Sequence, residues 1–260
     1  MKRVLVTGAS GQLGLSIQDI RKDFQELEFV FKDRSQLDIT SEDQVKDIFD
    51  YGNFDYCINC AAYTDVEQAE KTPTIAYKIN AEAVKHIAYA CKENKVVLIH
   101  ISTDYVFDGE KGLPYTVDDL PNPINEYGKS KWEGEKHIQE ILNQYFIIRT
   151  SWLYHKEHGK NFYKTILKKA EKRETIYVTD EQVGSPTDAA NLAQFILGLI
   201  NNEDSTFGIT HYTDGEAMTW YDFSKKIIAE NDFSSMATVV RDNNYRSFAR
   251  RPRNSVLNIL

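Results

Sequence analysis

Through the first 150 residues, short apolar runs alternate with longer stretches in which apolar residues recur every three or four positions. Short apolar runs are typical of buried strands, and the longer pattern is typical of amphipathic helices. Strands are predicted at 2–7, 28–32, 56–61, 96–102 and 145–150. Helices are predicted at 12–21, 41–50, 73–93 and 127–142. Strands that are apolar throughout and alternate with helices predict a parallel sheet covered on both faces.

Beyond residue 150 the pattern is less regular. Helices are predicted at 162–172, 187–200 and 221–231, and short strands at 176–178 and 208–212. Short strands mixed with helices indicate a smaller second lobe, into which the chain crosses more than once.

Composition narrows the class of protein. A chain of 260 residues with 42% hydrophobic positions can bury a core, which excludes intrinsic disorder. The net charge of -8, without a basic stripe, excludes a general nucleic-acid binder. No apolar run approaches the ~18 residues of a membrane span or forms a secretory signal, and three cysteines suit a reducing compartment. We therefore expect a cytoplasmic protein without a membrane or nucleic-acid partner.

Three glycines follow the first predicted strand and open the first predicted helix. Gly8 and Gly11 permit a tight turn with close backbone approach, so that a pyrophosphate can sit at the helix N-terminus, while Gly14 lets helix and strand pack. Because the glycines stand between a strand and a helix, they indicate dinucleotide binding. The fold class that follows is α/β, a Rossmann-like doubly wound parallel sheet with a second, smaller α/β substrate lobe. Residues 1–150 plus about 187–212 form the predicted dinucleotide-binding domain, and about 151–186 plus 213–260 the predicted substrate domain.

Two charged residues end the second predicted strand and point to opposite cofactors. Asp33 lies about 20 residues after Gly14, the spacing at which a carboxylate meets the ribose 2'-hydroxyl of NAD. The neighbouring Arg34 instead suits the 2'-phosphate of NADP. The residues alone leave the choice between NADPH and NADH open.

Tyr127 and Lys131 share one face of a predicted helix at i and i+4. Spacing alone is weak, since Tyr221 and Lys225 form a second such pair. Tyr127, however, follows the strand that ends at Thr103, where ligands of open parallel sheets gather. Tyr127 is then the candidate proton donor to a carbonyl oxygen that Thr103 holds, and Lys131 the cofactor anchor. For this role we expect Lys131, together with the oxidised nicotinamide, to lower the phenol pKa by about three units.

Other candidates have simpler interpretations. Cys57 and Cys60 have redox spacing but lie on a predicted buried strand, which favours packing. His155 and His158 are close in a loop without an evident third ligand, so no catalytic metal is expected. Trp152 is either a core residue at the lobe interface or, as its place beside the site favours, a platform for a sugar or base. The arginine-rich run 250–253 is either a surface tail or a source of cations for a diphosphate-bearing substrate.

Taken together, these residues resemble the extended short-chain dehydrogenase/reductase family. Further segments support the resemblance across nearly the whole chain: 59–67, 102–109, 149–154, 182–187 and 251–258. The resemblance implies reduction of the 4-keto group of a dTDP-linked 6-deoxyhexulose by NADPH or NADH. It also implies the following roles: catalysis by Thr103, Tyr127 and Lys131, cofactor binding by Gly11, Gln12, Leu13, Asp38, Ile39, Ala62, Tyr63 and Thr64, and sugar binding by Thr103, Asp104 and Trp152.

The sequence departs from the family pattern in two places. Some members dimerise around magnesium through glutamates at positions that align with Ser16 and Ala190, which favours a monomer or weak homodimer here. Members also continue past the Arg-Pro segment into a closing helix, which leaves open whether the C-terminus at Leu260 is complete. Two alternative functions stay open: a nucleotide-sugar epimerase or dehydratase, and a non-catalytic regulatory subunit resembling the methionine adenosyltransferase beta subunit.

Overall fold

The first half of the chain folds as alternating strands and helices in a computed structural model that describes residues 1–259. Leu260, the last residue of the predicted substrate domain, lies outside the described residues. The elements up to residue 150 are β1 (Lys2–Thr7), α1 (Gln12–Ile20), β2 (Leu27–Lys32), α2 (Glu42–Gly52), β3 (Tyr56–Asn59), α3 (Val66–Lys71), α4 (Pro73–Tyr77), α5 (Ala83–Asn94), β4 (Val97–Thr103), α6 (Glu126–Ile141) and β5 (Tyr145–Thr150).

The first half differs from the prediction in one strand end, one interrupted helix and one additional helix. β3 ends at Asn59 rather than residue 61, and the helix predicted at 73–93 is interrupted by a π-helical turn at Lys78–Glu82. The short helix α3 was missed because its six residues are too few to show a period, although Asp65 caps it by accepting a hydrogen bond from the Gln68 amide.

The second half contains the shorter elements. They are β6 (Leu153–Tyr154), α7 (Phe162–Glu171), β7 (Thr175–Val178), β8 (Val183–Gly184), β9 (Thr187–Asp188), α8 (Ala189–Asn201), β10 (Gly208–His211), β11 (Met218–Thr219), α9 (Trp220–Glu230) and β12 (Thr238–Arg241). The helix predicted from residue 187 begins at Ala189, because Thr187 and Asp188 pair with β6 and Asp188 caps α8 through the Ala190 amide.

The central sheet has six parallel strands in the order β2-β1-β3-β4-β5-β10. β2 and β3 lie on opposite sides of β1, so the strand order reverses at β1. Ligands of such sheets bind in the crevice beyond the carboxyl ends of the strands at this reversal. The doubly wound fold is confirmed, and its crevice opens directly at the glycine turn that follows β1.

Each face of the sheet is covered by helices. On one face, α2, α5 and α6 bury residues such as Phe49, Ile87 and Ile138 against the sheet. On the other, α1 and α8 bury Ile17 and Ile196. Burial of the inner strands β1, β3, β4 and β5 on both faces explains why they read as continuous apolar runs.

A separate apolar cluster lies in the second half of the chain. α7, α9 and β7 meet there around Ile166, Phe223 and Ile176. β10 and α8, by contrast, belong to the central sheet and its outer layer. The predicted domain division assigns these segments in the same way and stays a prediction. Among the described residues, no helix is long and apolar enough to span a membrane.

Candidate active site

The turn between β1 and α1 is shaped by its glycines. Gly8 adopts a φ of +63°, and a Cβ there would lie 2.6 Å from the Ala61 backbone nitrogen. At Gly14 a Cβ would lie 2.7 Å from the Gly8 carbonyl oxygen, so helix and strand touch there. No side chain caps the N-terminus of α1, and its first turn has no acidic residue. The turn therefore offers backbone N–H groups and a positive helix end to a pyrophosphate.

A cavity of about 430 Å³ lies beside this turn, at the carboxyl ends of β1, β3 and β4. It brings together twelve residues that the sequence singled out. These residues are Gly8, Gly11, Gln12, Leu13, Gly14, Ala62, Thr64, Thr103, Asp104, Tyr127, Lys131 and Trp152.

A neighbouring cavity of about 200 Å³ continues from the glycine turn along the end of β2. Arg34, Asp38 and Ile39 line it together with Gly8, Gly11 and Ala62. Asp38 accepts hydrogen bonds from the backbone and hydroxyl of Thr40, which lower the pKa of its carboxyl. The shape and lining suit the adenosine end of a dinucleotide.

Two predicted cofactor residues lie outside both linings. The Asp33 carboxylate accepts hydrogen bonds from the backbone and hydroxyl of Ser35, so it closes its own turn. The backbone of Tyr63 exchanges two hydrogen bonds with the Asn80 side chain. Asp33 and Tyr63 are therefore placed as supports of the loops that border the cavities.

Thr103, Tyr127 and Lys131 line the larger cavity from two elements. Thr103 ends β4, while Tyr127 and Lys131 stand one turn apart on α6. Asn125 caps α6 by accepting from the Gly128 amide, which fixes the turn that carries Tyr127. The Lys131 ammonium donates to the Ile101 carbonyl oxygen at 2.6 Å. The hydroxyl, phenol and ammonium groups thus share one cavity with the glycine turn.

The pKa of Tyr127 differs from the sequence expectation. Burial raises it well above its ordinary value, and only a hydrogen bond with Thr103 opposes this effect. The Lys131 ammonium does not lower this pKa. Burial lowers the pKa of Lys131 to about 8. At neutral pH Tyr127 is therefore a fully protonated phenol, the form that a proton donor requires.

Asp104 and Trp152 form the far wall of the cavity. Asp104 is buried and accepts hydrogen bonds from Ser255 and Thr103, and burial raises the pKa of its carboxyl to about 7. Trp152 has a φ of +47° and stacks on Trp220. The Trp152 ring thus lines the cavity while packing on Trp220 and the apolar cluster of the second half.

The second tyrosine–lysine pair lies elsewhere. Tyr221 and Lys225 are on α9, where the Lys225 ammonium sits over the Tyr221 ring at 5.7 Å. Neither residue lines the candidate site. Cys57 is fully buried, as its packing interpretation expects, whereas Cys60 is half-buried and lines both cavities.

Sequence reasoning missed several lining residues, among them Cys60, Gly159 and Lys160. Gly159 and Lys160 belong to a loop without a motif, which the fold brings against Gln12. The same loop gives His155 and His158 a third group, Asp19 of α1, at 2.6 Å from His158 Nε2. His155 Nδ1 accepts the backbone N–H groups of Glu157 and His158, so the cluster anchors this loop to α1.

Arg251, from the arginine-rich run, does not line the larger cavity. It pairs with Glu67 at 2.9 Å and donates to the Tyr105 hydroxyl, while its Nε has no partner among the described residues. Together with Trp220 and Tyr245 it borders a third cavity of about 320 Å³. The stacked rings of Trp152 and Trp220 connect this cavity to the larger one.

The fold and site define a nucleotide-binding α/β protein with the residue set of a carbonyl reductase. The chain belongs to the family described as RmlD substrate binding domain, whose model matches residues 1–260.

Two known proteins are similar to this chain over most of its length. The chain is 37% identical to dTDP-4-dehydrorhamnose reductase of Aggregatibacter actinomycetemcomitans over 100% of this chain and 91% of the relative. It is 38% identical to dTDP-4-dehydrorhamnose reductase of Escherichia coli (strain K12) over 78% of this chain and 71% of the relative.

Solved structures agree with this assignment. The crystal structure of dTDP-4-dehydrorhamnose reductase from Bacillus anthracis str. Ames in complex with NADP matches with a TM-score of 0.94 and 39% identity, covering 100% of this chain and 92% of that one. UDP-glucose 4-epimerase of Thermus thermophilus in complex with NAD matches with a TM-score of 0.82 and 18% identity, covering 98% and 90% of the two chains. The epimerase likeness shows a shared fold alone.

Proposed function

We propose that the protein is an NADPH-dependent reductase that converts dTDP-4-dehydrorhamnose to dTDP-rhamnose in nucleotide-sugar biosynthesis. The observation that carries the proposal is the meeting of Thr103, Tyr127 and Lys131 with the glycine turn around one cavity. The substrate is inferred from the names of relatives that match 100% of this chain.

The residues present fit the dinucleotide. A Cβ at Gly8 would collide with the backbone of Cys60 and Ala61, so glycine keeps the turn tight, and the uncapped start of α1 lines the cavity. Arg34 lines the adenosine cavity while Asp33 turns away, which supports a 2'-phosphate and hence NADPH over NADH. When bound, NADPH supplies the hydride that reduces the carbonyl carbon.

The chain's own residues supply the proton and hold the substrate. The phenol of Tyr127 donates its proton to the carbonyl oxygen. The Thr103 hydroxyl turns its single O–H from Asp104 to the same oxygen and orients it by a hydrogen bond. Lys131 has one N–H group available for the cofactor ribose beyond those bound inside the protein. Asp104 contacts the sugar hydroxyls, and the indole of Trp152 covers a face of the sugar.

We assign the nucleotide part of the substrate to the cavity bordered by Arg251, Trp220 and Tyr245. Its aromatic lining suits a base, and the unpartnered Nε of Arg251 suits a phosphate oxygen. In the acidic chain, such a cation compensates the charge of a diphosphate.

We propose a monomer or weak homodimer in the cytoplasm. Ser16 and Ala190 carry no carboxylate with which to bridge a metal, and Ser16 is buried against its own helix. The free thiols of Cys57, Cys60 and Cys91 suit a reducing compartment.

The test is the consumption of NADPH, followed by its absorbance, with dTDP-4-dehydrorhamnose as substrate. Stoichiometric oxidation of NADPH with formation of dTDP-rhamnose supports the reductase. Sugar conversion without net NADPH oxidation would identify an epimerase or dehydratase. Absence of turnover together with a stoichiometric protein partner on purification would identify a regulatory subunit.

A further inference from the structure

A line of buried polar side chains lies behind Lys131, away from the cavity. His100, on β4, places its Nε2 at 3.3 Å from the Lys131 ammonium nitrogen. Its Nδ1 lies 3.1 Å from the side-chain nitrogen of Asn59, whose oxygen accepts a hydrogen bond from the Thr7 hydroxyl at 2.6 Å. Thr7, Asn59, His100 and Lys131 are all at most 2% exposed. His100 does not line the cavity, so it acts on the site only through Lys131.

The donors and acceptors of this line fix its protonation. An ammonium has three N–H donors and no acceptor. One Lys131 donor goes to the Ile101 carbonyl oxygen, so a second meets His100 Nε2 and the third faces the cavity. Burial and the Lys131 charge hold the pKa of His100 well below its ordinary value, so the imidazole is neutral. A neutral ring that accepts at Nε2 carries its proton on Nδ1.

The Asn59 amide completes the arrangement. Its oxygen and nitrogen exchange places when the amide turns by 180°. Turned by 180° from its orientation in the structure, Asn59 presents its oxygen to His100, accepts from Nδ1–H and donates to the Thr7 hydroxyl. Each side chain in the line from Thr7 to Lys131 then keeps at least one hydrogen-bond partner, as buried polar side chains require.

We infer that His100 is a positioning residue for Lys131, which it holds by accepting a hydrogen bond from the ammonium at Nε2. Two of the three Lys131 donors are thereby fixed inside the protein, and the third is directed at the cofactor. The inference rests on the proposed cofactor role of Lys131. The other groups that act on the Lys131 charge are Glu135, one turn further along α6 and paired with Arg149, and Cys60 beyond β3.

The matched variants are His100→Gln and His100→Asn, measured by NADPH binding as a function of pH. The Gln amide reaches the position of Nε2 and the Asn amide that of Nδ1, so only the first can accept from Lys131. We expect H100Q to bind NADPH within about twofold of the unaltered protein and H100N about tenfold more weakly, the effect of one hydrogen bond to a charged group. In H100N, the loss of affinity at alkaline pH should also begin at lower pH, because the ammonium has lost an acceptor.

Two controls separate this inference from the proposed function. His211→Asn, at a buried histidine on β10, should leave NADPH binding unchanged. Lys131→Met should weaken NADPH binding at least as much as H100N. If K131M binds normally, the proposed role of Lys131 is wrong and this inference falls with it. If K131M binds weakly but H100N and H100Q behave alike, only the role of His100 is wrong.

Nitrogen-15 NMR of the unaltered protein gives a readout that does not depend on folding of a variant. We expect a neutral His100 ring with its proton on Nδ1 between pH 6 and 8, a window set by the ordinary histidine pKa of about 6.5. A proton on Nε2 would overturn the inference, because that nitrogen could not accept from Lys131.

Discussion

The indole ring of Trp152 lies flat on that of Trp220, with ring centroids 3.5 Å apart and planes inclined by 7°. Trp152 faces the larger cavity, and Trp220 borders the cavity assigned to the nucleotide. The stack therefore joins the two parts of the proposed substrate site. Gly184 makes it possible, since a Cβ there would lie 2.5 Å from the Trp152 ring.

Gly184→Ala should raise KM for the dTDP-sugar by about tenfold, because the methyl group displaces the indole and removes about 1.4 kcal/mol of sugar contact. Steady-state kinetics with NADPH at saturation measures this effect. Gly198→Ala on α8 is the control, since no atom lies within 4 Å of a Cβ there. It should leave KM unchanged and increase stability slightly. Equal KM values for both variants would contradict the platform role of Trp152.

Tyr127→Phe removes the proposed proton donor and should lower kcat at least about 100-fold. Binding of NADPH, followed by fluorescence, should change little because the ring remains. Tyr221→Phe alters the second tyrosine–lysine pair and should keep full turnover. If the Y127F protein binds NADPH and turns over at the normal rate, Tyr127 is not the acid.

Arg34→Ala should weaken NADPH binding by about tenfold or more, as expected for loss of a charge-assisted hydrogen bond. Affinity for NADH should stay nearly the same, because NADH has no 2'-phosphate. Isothermal titration calorimetry with NADPH and with NADH measures the two dissociation constants and hence their ratio. Asp33→Asn is the neighbouring control and should not increase NADPH affinity. A parallel loss of both cofactors in R34A would indicate adenine stacking rather than phosphate recognition.

Asp104 makes stability depend on pH. Its carboxyl has a pKa of about 7 in the folded protein against 3.8 as the ordinary value, so the folded state binds the proton more tightly. The free energy of unfolding therefore decreases as pH rises from about 4 to about 7. Asp104→Asn removes this dependence, and should be more stable than the unaltered protein at pH 8 by at most about 4 kcal/mol. Thermal unfolding of both proteins at pH 5 and pH 8 measures this difference in stability, which should be smaller at pH 5. An equal difference at the two pH values would show that Asp104 ionises freely.

The sequence by itself determined the alternation of strands and helices and the place of the main site. Apolar runs such as 145–150, alternating with amphipathic helices, indicate a sheet covered on both faces, and Gly8, Gly11 and Gly14 permit a tight turn with close backbone approach. Tyr127 and Lys131 share a helix face through spacing alone. These features depend on residues that are close in sequence, so they can be predicted from short segments of the chain.

Only the tertiary structure decided between neighbouring side chains and across distant segments. Asp33 and Arg34 are adjacent in sequence, yet Asp33 caps its own turn and Arg34 reaches the cavity. The raised pKa of Tyr127 follows from burial, which depends on every element around the site. The contact of His100 with Lys131 joins a strand to a helix 31 positions later. Such contacts depend on how the elements pack in space, and no local pattern in the chain records that packing.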